Sequence, residues 1–425
     1  MTMLRILHFS DAHIDMASQG RHDAETGLPL RVLDFLKALD MIIDTAVNEK
    51  VDLVIFAGDA YKDRNPAPTY QREWGRRIMR LSQAGIPTLL LVGNHDISPA
   101  MGRANTLHEF DTLEVPHVKV LSRPCFLGPV DLWNLPLQVI AFPWLSRSGI
   151  MASLDLGGNE LEQVNEAFEM RMANTLHQWL DQADPALPVV LTAHATVQGA
   201  VYGAERSVML GNDFVLSGYL VRDPRLSYVA LGHIHKAQDV NDQHQPPVVY
   251  PGSIERVDFG EAQDEKYFVI ASVEKGKDTQ VSWRKLEGRR FIDCKVQFSE
   301  EEHLPEPPIL LQRILQQLPS KEELADAVVR LTLEYLRGWE TLIDEPALRE
   351  HTAAAFEFHL IRRPQMEARL RLSTDKPLNS LAPLELLDLY WKTVKTDPQE
   401  ADELHKLAQE VMVEADAAAD NTPNL

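Results

Sequence analysis

The sequence predicts a layered α/β domain whose sheets are covered by helices, with a smaller region behind it. Two observations carry this. From residue 1 to about 285, short apolar strand-like runs alternate with helix-like runs, and such alternation builds layered α/β folds. The chain also has 425 residues, too many for one ordinary core, so two or three domains are expected.

Residues 4–9 read as a first strand. Val32, Phe35, Leu36, Leu39, Ile42, Ile43, Ala46 and Val47 follow helical spacing, which makes residues 29–49 an amphipathic helix. A continuous apolar strand follows at 53–57. Residues 69–84 are helical until Gly85-Ile86-Pro87 stops them, and 88–92 form a third strand. Further strands are expected at 188–193, 227–231 and 248–250, with a helix over about 159–181. Residues 268–273 and 280–286 read as a closing pair of strands. The acidic, proline-rich stretch 300–308 marks a boundary. Beyond it a small α+β domain is expected, with helices near 308–318 and 345–359. Leu384, Leu387, Tyr390, Trp391 and Val394, then Leu404, Leu407, Ala408 and Val411, form two apolar stripes. Between them Asp397-Pro398-Gln399-Glu400 supplies a cap, a first-turn proline and a third-position glutamate. The segment is therefore a helical hairpin, and 417–425 reads as a disordered tail. The expected domains are 1–288, 289–376 and 377–416, then the tail.

Composition bounds the function classes. Apolar residues make up 44% and charged residues 25%, as in soluble globular proteins. No window of 18 uninterrupted apolar residues exists, so no membrane span is expected. The short apolar start has no small-residue cleavage site, and a cytoplasmic protein is expected. Cys125 and Cys294 form neither a zinc spacing nor a disulfide framework and read as thiols. The formal charge of −21 argues against tight nucleic-acid binding by the isolated chain. Part of it is local, because residues 376–425 hold ten Asp/Glu against four Lys/Arg. Metal-site carboxylates also count as negative although bound cations cancel them.

The chemistry-bearing residues share one address, just past the ends of the expected strands, where α/β sheets form ligand sites. Asp11 and His13 are two apart and in extended chain point the same way, so they can grip one divalent cation. Gly58-Asp59 follows the second strand; Gly58 permits a sharp turn, and Asp59 has two oxygens with which to bridge two ions. Gly93-Asn94-His95-Asp96 follows the third. Asn94 offers an amide oxygen, His95 a proton, and Asp96 a carboxylate to orient the His95 ring. His194 follows a later strand, and Gly232-His233-Ile234-His235 another. Of 15 histidines, only His13, His95, His194, His233 and His235 occupy such positions. The joint pattern points to a metal-dependent site.

This series resembles the calcineurin-like metallophosphoesterases over residues 4 to 285. The resemblance implies a four-layer α/β/β/α sandwich with a dinuclear site, usually manganese in the nucleases, with magnesium an alternative. One ion would take Asp11, His13, Asp59 and His235, and the other Asp59, Asn94, His194 and His233. A water activated by the two ions would attack phosphorus, and His95 would protonate the leaving sugar oxygen. Tyr250-Pro251-Gly252-Ser253-Ile254-Glu255-Arg256, Asp63-Arg64-Asn65-Pro66 and Tyr202-Gly203-Ala204-Glu205-Arg206 are similar to the nuclease branch typified by SbcD and its double-strand-break repair relatives. That branch implies DNA as substrate, exonuclease and endonuclease activity, and a coiled-coil ATPase partner gripped by the hairpin. It also implies a homodimer within a heterotetramer and a cytoplasmic, nucleoid-associated location.

One position departs from the pattern. Archaeal and eukaryotic relatives often carry a histidine three residues after the bridging aspartate, where this chain has Lys62. A lysine can hold a phosphate as a point charge but cannot act as an imidazole. Lys62, Arg64, Arg256, Arg289 and Arg290 are candidate DNA contacts, as are Arg76, Arg77 and Arg80 on the second helix. The alternatives are a phosphodiesterase or phosphatase of small molecules or proteins, and a non-catalytic DNA-tethering scaffold.

Overall fold

The computed structural model describes residues 3–16, 20–97, 104–145, 161–203, 215–298, 307–365, 381–393 and 396–420. The chain divides into two compact units, Met1–Asp293 with Asp326–Val328 and Cys294–Ala325 with Val329–Leu425. The strands of the first unit are β1 (Leu4–Phe9), β2 (Leu53–Phe56), β3 (Thr88–Leu91), β4 (Val118–Leu121), β5 (Cys125–Leu127), β6 (Gln138–Phe142), β7 (Val189–His194), β8 (Thr196–Val197), β9 (Val215–Leu216), β10 (Tyr228–Gly232), β11 (Gln238–Asp239), β12 (Val248–Tyr250), β13 (Lys266–Val273) and β14 (Gln280–Leu286). Its helices are α1 (Leu30–Glu49), α2 (Pro68–Gln83), α3 (His108–Thr112), α4 (Leu161–Gln182) and α5 (Gly218–Val221).

Two six-stranded sheets form, ordered β14-β13-β1-β2-β3-β4 and β11-β12-β10-β7-β6-β5. Their central strands run parallel: β1 to β4 in the first, and β6, β7, β10 and β12 in the second. Side chains alternate between faces along each strand. Leu4, Ile6, Leu53, Ile55, Leu89 and Leu91 of the first sheet share a core with Val139, Ala141, Val190 and Ala230 of the second. The opposite faces meet helices. Leu7, Phe9, Val54 and Phe56 pack on Phe35, Leu39, Ile42 and Trp74 of α1 and α2, and Leu191, Ala193 and Leu231 pack with Met172, Leu176 and Leu180 of α4. The result is the four-layer α/β/β/α sandwich. With both faces covered, these strands read as unbroken apolar runs. His8 is the polar residue of β1 in the middle layer, bonded through Nδ1 to Tyr228 Oη at 2.9 Å and through Nε2 to Leu231 O at 3.1 Å.

Strands β4, β5, β6, β8, β9 and β11 add to those expected from the sequence. β4 and β5 are only four and three residues long and β8, β9 and β11 two each, whereas β6 (Gln-Val-Ile-Ala-Phe) is framed by Pro136 and Pro143, turn signals that mark it as a strand.

In the second unit, a three-stranded sheet is ordered β15 (Phe291–Gln297), β16 (Val328–Leu336) and β17 (Glu357–Gln365). Its helices are α6 (Pro307–Gln317), α7 (Lys321–Leu324), α8 (Glu345–His351), α9 (Pro383–Thr393) and α10 (Pro398–Asp420). Val296, Leu310, Ile314, Leu331, Leu333 and Trp339 are buried together. Two expectations are corrected. The helix expected over 345–359 stops at His351, and β17 begins at Glu357 so that Phe358 and Leu360 join the core. The tail expected from 417 is helical as far as Asp420, since Ala417-Ala418-Ala419 carries the highest helix propensity; residues 421–425 lie outside the described residues. Asp397 caps α10 by accepting from Gln399 N at 2.9 Å. Among the described residues no helix is long and apolar enough to cross a membrane. Both cysteines are free thiols, half-buried.

Candidate metal centre

Each ligand-type residue sits on a loop or terminus at the carboxyl edge of a parallel strand. Asp11 and His13 follow β1, Asp59 follows β2, Asn94 and His95 follow β3, His194 ends β7, and His233 and His235 follow β10. Donor atoms of Asp11, His13 and His235 lie within 4.8 Å of one another, as do those of Asp11, Asp59 and His194. Asn94 Oδ1 lies 3.0 Å from His194 Nε2 and 3.0 Å from His233 Nδ1. All the ligand residues expected from the sequence therefore meet in one place.

Neighbours orient the rings. His194 Nδ1 donates to Ala57 O at 2.7 Å, His13 Nδ1 to Tyr61 O at 3.2 Å, and His235 Nδ1 to Glu261 Oε1 at 2.8 Å. A carbonyl or carboxylate can only accept, so in the neutral imidazole each Nε2 is left as a lone pair for the centre. His13 Nε2 and His235 Nε2 face each other at 3.1 Å, a spacing that suits a shared cation. Asp59 Oδ2 stands 3.8 Å from His13 Nε2 and 3.4 Å from His194 Nε2, between the two donor groups. Burial opposes a charge on His194, yet Asp59 outweighs it and pushes the imidazole up to about 9. Buried carboxylates thus draw positive charge into this space, and oxygen with imidazole is a donor set that divalent transition ions accept.

The backbone is bent to make this possible. Asp11, His13 and Asp59 have φ of 51°, 38° and 66°, and His233 has 101°. These are left-handed values that cost about 1–3 kcal/mol each outside glycine. Gly58 has φ 102° and no room for a side chain, because a Cβ would lie 2.3 Å from His194 Nδ1. At Gly93 it would lie 2.1 Å from Asp59 Oδ1.

Asp96 does not orient His95. Its oxygens accept from the N–H groups of Asp59 (2.9 Å), Ala60 (3.1 Å) and Gly93 (2.8 Å) and from Thr106 Oγ1 (3.0 Å). It clamps two loops together. His95 Nδ1 instead donates to Lys62 O at 2.8 Å, and His95 N donates to Asp59 Oδ1 at 2.8 Å. Burial pulls the His95 imidazole below its ordinary value, with Asp59 opposing.

His95 opens on a cavity of about 640 Å³ also lined by Asp15, Met16, Lys62, Asp63, Arg64 and Asn65. Lys62 and Arg64 are exposed there. The other basic candidates are engaged elsewhere. Arg289 binds Asp34 through Nε (2.6 Å) and Nη2 (2.8 Å), and Arg256 Nη1 donates to Arg289 O at 3.2 Å. Arg290 is exposed, and its carbonyl accepts from Val328 N. Arg76 and Arg77 pair with Glu73, Arg77 and Arg80 with Asp40, and Arg80 with Asp44. Residues 204–206 of the Tyr202-Gly203 motif lie outside the described residues.

Three neighbours of the centre escaped sequence reasoning. Glu261, 1% exposed, holds His235 and is paired with the equally buried Lys266 at 2.7 Å. Trp144, two residues past β6, lies 4.9 Å from the His233 ring and 6.2 Å from the His194 ring. Asp15 accepts from Lys62 N and Asp63 N. A strand-end aromatic was the only available signal, for Trp144; the two carboxylates carry none, because their partners are remote in sequence.

Comparison with known proteins agrees with this geometry. Over 284 residues the chain is 28% identical to the SbcD subunit of the nuclease SbcCD of Escherichia coli K12, covering 64% of this chain and 66% of that one, just short of two thirds of the relative. The Rhodobacter capsulatus protein of the same name is 30% identical over 254 residues, 56% of this chain and 59% of that one. The DNA double-strand break repair protein Mre11 of Archaeoglobus fulgidus is 24% identical over 311 residues, 71% of this chain and 63% of that one. The calcineurin-like phosphoesterase family matches residues 4–237, more than half of the chain and every strand end described above, and the chain belongs to that family.

Proposed function

We propose that this chain is a manganese-dependent DNA exonuclease and endonuclease, the nuclease subunit of an SbcCD-type double-strand-break repair complex. One observation carries the reading: the donors of five strand ends converge with His95 beside them, in a chain whose relatives are named as a nuclease subunit and a DNA double-strand break repair protein. Asp11, His13 and His235 would hold one divalent ion and Asn94, His194 and His233 the other, and Asp59 would serve both. When bound, the ions lower the pKa of a water and set positive charge against the phosphoryl oxygens. The chain's own part is proton delivery and placement. His95 gives the proton on Nε2 to the leaving sugar oxygen, while Nδ1–H stays on Lys62 O. Lys62 and Arg64 are the proposed phosphate contacts on the cavity wall.

The second unit is proposed to supply a capping domain and a hairpin, α9 and α10, for a coiled-coil ATPase. Tyr390, Leu407 and Val411 are 46%, 58% and 58% exposed, apolar surface of the kind that partner helices cover. A homodimer in the cytoplasm completes the proposal. One observation favours a small-molecule phosphodiesterase instead: the net charge is −21 and many arginines are spent on acids. In our reading the ATPase partner supplies the grip on DNA. The test uses purified chain and a His95→Ala variant on linear and hairpin DNA with manganese, magnesium or chelator. Manganese-dependent cutting lost in the variant supports the nuclease. Hydrolysis of bis-p-nitrophenyl phosphate with both DNAs intact, even after the partner is added, moves the assignment to small phosphodiesters.

A further inference from the structure

The two peptide groups that join Tyr61, Lys62 and Asp63 are each held at both edges. On one side Asp15 Oδ1 accepts from Lys62 N–H, and Asp15 Oδ2 accepts from Asp63 N–H at 3.1 Å. On the other side of the same groups, Tyr61 O accepts from His13 Nδ1 at 3.2 Å and Lys62 O from His95 Nδ1 at 2.8 Å. The N–H and C=O of a trans peptide lie in one plane and point in opposite directions. Fixing the N–H edge therefore fixes where the carbonyl aims. A charged acceptor at the N–H also polarises the peptide and strengthens its carbonyl as an acceptor. Asp15 is 7% exposed, whereas Lys62, Asp63, Arg64 and Asn65 are all exposed. The clamp made by Asp96 holds residues 59, 60 and 93 and stops short of this loop.

We infer that Asp15 is a positioning residue: through the 61–62 and 62–63 peptide groups, its carboxylate sets the ring orientation of His13 and His95. Both of its carboxylate oxygens are taken up by these N–H groups. The inference rests on the reading of His95 as proton donor.

A leaving-group comparison separates this role from general damage. A p-nitrophenolate leaves without a proton, whereas a sugar alkoxide needs one. Full-length protein at saturating manganese is assayed on thymidine 5′-(p-nitrophenyl phosphate) and on a dinucleotide. The variants are Asp15→Asn, Asp15→Ala, His95→Ala and the Asp15→Ala/His95→Ala pair. Asp15→Ala is expected to lower dinucleotide cleavage about 10–100-fold more than p-nitrophenyl cleavage. Asp15→Asn, which keeps one acceptor oxygen, loses less. In the His95→Ala background, Asp15→Ala brings no further selective loss. Calorimetric manganese titration is expected to show one ion of two bound about 10-fold more weakly in Asp15→Ala, through His13. Equal loss on both substrates, or full additivity with His95→Ala, overturns the role at His95; unchanged affinity for both ions overturns it at His13. If His95→Ala alone affects both substrates equally, the proton-donor reading itself has failed, and that single variant reveals it.

Discussion

The loops after β1 and β2 carry their donors on left-handed backbone at Asp11, His13 and Asp59, whereas the second sheet does so only at His233. The means of support differ as well. On the first sheet, the Asp96 and Asp15 carboxylates collect backbone N–H groups and so hold the loops themselves. On the second, His194 and His235 lie on ordinary backbone, and their rings are aimed by Ala57 O and Glu261. One side stores strain and offsets it with buried hydrogen bonds. The other carries strain at His233 alone, where the Asp11 carboxylate accepts from the N–H, and otherwise needs its rings oriented. Loss of a support should therefore cost more folding on the first side, whereas on the second it should cost chiefly metal affinity.

The largest effect is expected at Asp96. Asp96→Ala strands the N–H groups of Asp59, Ala60 and Gly93, at about 1–3 kcal/mol each when buried. Chemical unfolding followed by circular dichroism is predicted to show a loss of about 3–6 kcal/mol. A loss below about 1 kcal/mol would break the comparison.

His8 tests the seam between the two sheets. Burial lowers its imidazole from 6.5 to about 3, against a weaker opposing bond to Leu231 O. The unfolded chain binds the extra proton between those values, so this contribution to stability is present above pH 6.5 and is lost as pH falls towards 3. The full difference is roughly 5 kcal/mol. His8→Gln should flatten the fall in unfolding free energy across that window; an unchanged slope would place the acid sensitivity elsewhere.

A smaller effect is expected on the second sheet. Glu261→Gln paired with Lys266→Met removes both buried charges and leaves His235 facing a neutral amide. Calorimetry should find one of two manganese ions bound about 10-fold more weakly, with stability changed by less than about 2 kcal/mol. A folding defect as large as that of Asp96→Ala would erase the distinction between the sides.

The ligand residues were legible because each follows a run that could be read as a strand, and strand ends are where such sites form. The roles of their neighbours were less so. Asp96 follows His95 directly and invited the reading that it holds the ring, but it turns inward to three backbone N–H groups, and the ring finds Lys62 O instead. Asp15 and Glu261 act across 47 and 26 residues of sequence, which no local pattern records. Arg289 looked like a phosphate contact and is spent on Asp34, 255 residues away. In the second unit the two C-terminal helices were readable from stripes and a cap. The strand Glu357–Gln365 was hidden because its alternation is weak and its residues are mostly half-buried or exposed.

Counting manganese ions in the wild-type chain and in Asp59→Asn tests the central claim most directly. Asp59 lies between both donor groups, so the account predicts two ions per wild-type chain and loss of both together when its charge is removed. A single ion in the wild type, or loss of one ion with the other still tight, would contradict a centre bridged by Asp59.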